Sequence, residues 1–130
     1  MKYLLDVNAL VALGFAEHVF HDRAVSWLQA LDSPMLLTCS ITELGFVRVL
    51  AQAPAYGFTL TQARTLLGKM KESELFAFLA DDHDVSFLPS WVKAPKQLTG
   101  GHLLKLAAAN AAVLATLDGR IPGAHLISGR

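Results

Sequence analysis

The sequence predicts one α/β domain over residues 1–130, a three-layer sandwich with helices on both faces of a central parallel sheet of four to five strands. Three observations predict it. Short apolar runs alternate along the chain with segments of helical periodicity, the pattern of parallel strands joined by helical crossovers. The 130 residues are 53% hydrophobic and 17% charged, enough apolar material for a real core and too little charge for a disordered chain. No internal repeat, linker or low-complexity stretch divides them.

The elements follow in order. Residues 2–6 read as a short buried strand and 8–16 as an apolar helix. His18 to Asp22 is a polar break. Ala24, Trp27, Leu28 and Leu31 then fall at i, i+3, i+4 and i+7, one buried helix face, so Trp27 belongs to the core. Ser33-Pro34 stops that helix, and Met35 to Thr38 form the second strand. Ser40 to Gln52 reads as a helix closed by the turn signal Ala53-Pro54-Ala55-Tyr56-Gly57. Ala63, Leu66, Leu67 and Met70 define a further amphipathic helix, with Thr59 and Gln62 spaced as a capping box. Leu75 to Ala80 is the third strand, followed by an acidic, solvated turn at Asp81, Asp82, His83 and Asp84. Val85 to Leu98 holds two prolines and little periodicity, which predicts a loop with at most a short helix around Ser90. Thr99 is placed to cap a helix over 100–110, with Asn110 at its end. Residues 112–117 are the fourth strand, and 124–127 add a short edge strand.

Bulk chemistry narrows the function. Eleven basic and eleven acidic residues leave no net charge, so the broad basic surface of a non-specific nucleic-acid binder is absent. A nuclease with an acidic site is still compatible. The longest apolar stretch, Leu106 to Leu117, contains Asn110 and is too short to span a bilayer. Asp6 breaks the N-terminal apolar segment where a signal peptide needs continuity, which leads to the expectation of a cytoplasmic protein without a membrane partner. One cysteine, Cys39, excludes an intrachain disulfide and a cysteine-rich zinc site. Neither a G-x-G-x-x-G after the first strand nor a P-loop lysine motif is present, so the usual phosphate cradles of dinucleotide and NTP binders are missing. The apolar bias with few charges hints at a buried subunit or partner interface.

Two acids then stand out. Asp6 follows the first strand and Asp118 the fourth, and in an open α/β sheet the crevice lies beyond the carboxyl ends of the strands. The two could converge on one divalent ion. Each has a plainer reading: Asp6 as a helix N-cap, Asp118 as half of an Asp-Gly turn. Glu43 fits a capping box with Ser40.

Taken together, Leu4-Leu5-Asp6-Val7-Asn8-Ala9-Leu10, the Ser40-x-x-Glu43 helix start with Arg48, and Leu114-Ala115-Thr116-Leu117-Asp118-Gly119-Arg120 resemble the PIN-domain ribonucleases. His21-Asp22-Arg23-Ala24-Val25-Ser26-Trp27-Leu28 is similar to the second helix of one branch, the VapC toxins of bacterial type II toxin–antitoxin pairs. That resemblance implies a PIN-like, Rossmannoid sandwich and a single-strand endoribonuclease dependent on Mg²⁺ or Mn²⁺. It also implies a homodimer inhibited by a VapB-type antitoxin. On the matching positions, Asp6 and Asp118 would be metal ligands and Glu43 the third catalytic acid. Asn8, Ser40 and Thr116 would support that shell, and Arg48 would touch RNA or brace the acids. Oxygen-only ligands suit such a hard cation.

The chain departs from this pattern at one place. Family members usually carry an aspartate after the threonine of the late helix, where this chain reads Thr99-Gly100-Gly101-His102. With Gly100 in place of that acid, metal affinity and cleavage are expected to be weak. The alternative is a non-catalytic PIN-fold protein that binds an antitoxin or RNA without cutting. Among other residues, His18 and His21 lack the partners of a zinc site, His102 is expected to be a solvated helix residue, and Trp91 lies in a loop where it is free to stack on a base.

Overall fold

A computed structural model describes residues 1–128. Strand β1 (Lys2–Leu5) leads through Asp6 into helix α1 (Val7–Gly14), and α2 (His21–Gln29) returns the chain to β2 (Met35–Thr38). Helices α3 (Ser40–Gln52) and α4 (Leu60–Lys71) precede β3 (Phe76–Phe78). Two 3₁₀ turns, Val85–Phe87 and Pro95–Gln97, lead to α5 (Leu98–Ala109), β4 (Val113–Thr116) and β5 (His125–Leu126). The five strands form one parallel sheet in the order β3-β2-β1-β4-β5.

Alternation along the strands sorts the core into two halves. Tyr3, Leu5, Leu36 and Ala115 pack with α1, α3 and α4 through Leu10, Phe46, Leu50 and Leu67. Leu4, Leu37 and Leu114 point the other way, onto Leu103, Leu106 and Ala107 of α5. Four helices therefore cover one face, while α5 covers the other and carries the 3₁₀ turns on its outer side. Strands buried on both sides explain the continuous apolar runs in the sequence. Trp27 packs edge-on against Tyr3 at 5.2 Å, and its Nε1 donates to Nε2 of His125 at 2.9 Å, joining α2 to the edge strand. Among the described residues no helix is long and apolar enough to cross a membrane.

Several expected details shift. The capping box at Thr59 and Gln62 forms as the spacing requires, with bonds of 3.0 and 2.9 Å. That expected at Ser40 does not. Cys39 is the cap residue of α3, and its N–H donates to Thr42 Oγ1 at 2.9 Å, leaving Glu43 free of the helix end. Thr99 does not cap α5, because the turn starting at Pro95 runs straight into a helix that begins at Leu98. Gln97 Oε1 instead accepts from the N–H groups of Lys93 and Ala94. No helix forms around Ser90; the short turns lie on either side of it.

Gly45 of α3 sets the seat of α1. A Cβ there would lie 2.5 Å from Val7 Cγ2 and 3.1 Å from Val7 Cγ1, both branches of a stiff side chain, so the valine or the helix must shift to admit it. Gly45→Ala is expected to lower unfolding stability by about 1–3 kcal/mol despite alanine's better helix propensity, as read from chemical denaturation.

Candidate active site

The sheet order reverses between β1 and β4. Strands β1, β2 and β3 step one way, and β4 and β5 lie on the other side of β1. Ligands of open α/β sheets bind at such a switch point, outside the carboxyl ends of the strands. Leu5 pairs with Ala115, so Asp6 and Thr116 leave the sheet side by side, and Asp6 N–H still donates to Ala115 O at 2.9 Å.

Thr116 is fully buried, and its hydroxyl joins the two halves of the site. Oγ1 donates to Asp6 Oδ2 at 2.7 Å and accepts from the N–H of Asp118 at 3.0 Å. Asn8 Oδ1 lies farther from that hydroxyl, at 3.4 Å, and accepts instead from Leu117 N–H at 3.1 Å. Asn8 thus pins the β4 end to α1. Asp6 also caps α1, Oδ1 accepting from Val7 N–H at 2.8 Å. Helix cap and strand-end acid are the same side chain.

Burial pushes the Asp6 carboxyl above its ordinary value; the Thr116 and Val7 bonds oppose this, and the charge of Asp118 adds to it. Asp118 moves the other way, held low chiefly by the side chain and N–H of Arg120. Arg120 Nε sits 3.0 Å from Asp118 Oδ1, with the guanidinium largely exposed. Asp6, Asp118 and Gly100 line one cavity of about 370 Å³, together with Trp91, Lys96 and Arg120. Gly100 therefore faces the acids. A Cβ at Gly100 would meet Ile121 Cδ1 at 3.0 Å, a side-chain tip able to move. Beside it, a Cβ at Gly101 would meet Val92 Cγ2 at 2.4 Å and Pro89 Cδ at 3.2 Å, so the loop carrying Trp91 rests directly on α5.

Glu43 and Ser40 line a separate hollow between α3 and α4. Glu43 Oε2 accepts from Thr38 Oγ1 at 2.6 Å and pairs with Lys71 Nζ at 2.6 Å. Ser40 is exposed at the start of α3. Arg48 is also exposed and lines the outer end of the same pair of helices, away from the cavity of Asp6 and Asp118. Among the described residues no three His, Cys, Asp or Glu side chains gather closely enough to hold an ion between them. Asp6 and Asp118 bring two carboxylates to one cavity, which fits a small divalent cation that keeps most of its water.

Lys71 is not marked by the sequence, because nothing in local spacing assigns a cation to an acid on another element, whereas Arg120 stands two residues from its acid within the Leu114–Arg120 motif. His102 also departs from expectation. Its Nε2 meets Asp81 Oδ2 at 2.6 Å with both side chains mostly buried, so neither is a solvated surface residue. His21 Nδ1 is engaged by Ala12 O at 2.7 Å, and His18 Nδ1 accepts from Phe20 N–H at 3.0 Å.

A parallel sheet with two acids at its switch point defines an open α/β domain with an acidic site, and the relatives narrow the class. VapC44, VapC38 and VapC29, ribonucleases of Mycobacterium tuberculosis, are 36%, 36% and 33% identical to this chain. The alignments cover 91%, 88% and 96% of this chain and 87%, 84% and 92% of the respective relatives. The chain belongs to the VapC family of PIN-domain ribonucleases, the toxins of toxin–antitoxin systems. No family model matches the sequence. Two solved structures share the fold. The M. tuberculosis VapC20, a toxin that cleaves the sarcin–ricin loop, superposes with a TM-score of 0.69 at 13% identity over 92% of both chains. VapBC2 of Rickettsia felis, solved on a DNA fragment from its promoter, gives 0.64 at 17% identity over 97% of both.

Because the folded-state pKa of Asp6 is raised, its contribution favours the fold below pH 3.8 and is lost as pH rises through the folded value. Asp6→Asn is therefore expected to stabilise the metal-free protein by about 0.5–2 kcal/mol at neutral pH. The gain should shrink to nothing in acid, as measured by denaturation across pH in a chelator.

Proposed function

We propose that this chain is a ribonuclease toxin whose hydrolytic site is Asp6 and Asp118 with a divalent Mg²⁺ or Mn²⁺ ion, weakened by the glycine at position 100. The observation that carries this reading is the shared cavity, where both acids and Gly100 meet at the sheet's switch point. Asp6 and Asp118 would hold the ion, which supplies water activation and neutralises charge gathering on the phosphate. Thr116 orients the Asp6 carboxylate and fixes the backbone of Asp118, so both acids are set before substrate arrives. In phosphodiester hydrolysis the water oxygen bonds to phosphorus as one P–O ester bond breaks. One of the water's protons passes to a base and from it to the leaving oxygen, and the other stays on the new phosphomonoester. Glu43, the third acid of the resemblance, is held by Lys71 and Thr38 in the neighbouring hollow and does not line the cavity of Asp6 and Asp118.

The partner would be a VapB-type antitoxin, as the solved VapBC2 pair of R. felis suggests by relationship. Leu44 and Leu60, 62% and 60% exposed on α3 and α4, supply apolar surface for that antitoxin or for a second copy in a homodimer. A second reading has its own support. Lys71 on Glu43 and Arg120 on Asp118 give two of the three acids a cation already, and Ile121 occupies the space beside Gly100. Such a chain would bind its antitoxin or RNA without cutting.

The deciding experiment is cleavage of a labelled cellular RNA pool in Mg²⁺ or Mn²⁺. Gly100→Asp is expected to cut at least ~100-fold faster than the parent, a difference of roughly 3 kcal/mol at the transition state. Asp6→Ala in the same background should be inert. Equal, metal-dependent cutting by the parent would remove the assigned cost of Gly100, and silence from both with intact antitoxin binding would favour the second reading.

A further inference from the structure

The cavity of Asp6 and Asp118 does not end at those acids. A second hollow of about 430 Å³ opens on the far side, between the loop joining α1 to α2 and the end of β4. Asp118 and Arg120 line both, so the two are continuous across the site. An aromatic ring stands in each. Trp91, half-buried, lines the first; Phe20, 36% exposed, lines the second, with the Arg23 guanidinium 4.5 Å from its ring centroid. Cations follow the same line: Lys96 at the Trp91 end, Arg120 at the centre, Arg23 at the Phe20 end. In a chain with no net charge, this places three cations along one path over two acids.

Stacking platforms beside backbone-neutralising cations are what unpaired nucleic acid requires, because every base has a π-face and every linkage a charge. We infer that a single-stranded RNA crosses the site along this path, with one base on Trp91, another on Phe20, and the backbone between them over Asp118 and Arg120. The inference rests on the ribonuclease reading and adds the residues that hold the strand. Arg120 would leave Asp118 for the phosphate as the strand binds, its exposure allowing the move. A base held on each ring cannot stay paired in a duplex, which accords with the single-strand substrate that the family resemblance implies.

The test needs no cleavage. Trp27 is bonded to His125 within the α2 packing, so a ligand-dependent change in tryptophan emission reports Trp91. An unstructured 2′-O-methyl hexanucleotide, with Ca²⁺ present, is expected to quench that emission, whereas a blunt duplex of the same composition is not. With a labelled hexanucleotide, Trp91→Ala and Phe20→Ala should each weaken binding roughly tenfold by anisotropy, and Trp91→Phe should retain most of it. Binding that ignores both alanine substitutions, or a duplex that competes equally, would overturn the path. No binding by the parent while Gly100→Asp cuts RNA overturns the path alone; no binding and no cutting overturns the ribonuclease reading with it.

Discussion

The site depends on one buried hydroxyl. Thr116 Oγ1 gives its only proton to Asp6 and receives one from the backbone of Asp118. Without it, the acids would be two loosely related turns at the ends of neighbouring strands. Its position comes from the register of β1 on β4, which is set in turn by the apolar faces of Leu4, Leu5, Leu114 and Ala115. A one-residue slip would exchange the two faces of β4 and turn the hydroxyl away from Asp6. Core packing and site geometry are therefore the same constraint, seen from opposite ends of the strands.

Charge is handled locally. Asp118 rests on the cation Arg120 of its own turn and Glu43 on the cation Lys71 of a neighbouring helix, while Asp81 hydrogen-bonds the His102 ring. Asp6 has no such cation and relies on hydrogen bonds, which explains why burial moves it opposite to Asp118. The asymmetry leaves one acid poorly compensated at the bottom of the cavity and another loosely occupied at its rim. A divalent cation would satisfy both. An acid at position 100 would strengthen that demand, and Gly100 relieves it.

The strands, α2, α4 and the role of Trp27 in the core were legible because they follow from periodicity, turns and caps. Strand-end placement also made Asp6 and Asp118 visible before any geometry. What local spacing could not tell was which of two legitimate roles a residue plays. Ser40-x-x-Glu43 reads as a capping box, yet Cys39 and Thr42 close that helix end and Glu43 turns to Thr38 and Lys71. His102 looks solvated until Asp81, distant in sequence, is folded against it. The start of α5 differs because a 3₁₀ turn flows into it, and Gln97 Oε1 accepts from the N–H groups of Lys93 and Ala94 ahead of that turn where a threonine cap was expected. The misses at Glu43 and His102 involve partners supplied by tertiary structure, whereas the start of α5 turns on a local choice between two turn types.

Gly101 carries a consequence for the loop it supports. With no Cβ between them, Val92 and Pro89 sit on the backbone of α5, and the segment around Trp91 has lost much of its conformational freedom on folding. A wall built from irregular chain thereby behaves as an extension of a helix. The ordering entropy that a mobile loop would surrender on meeting a ligand has already been spent in the fold, so contacts made at Trp91 translate into affinity with little deduction.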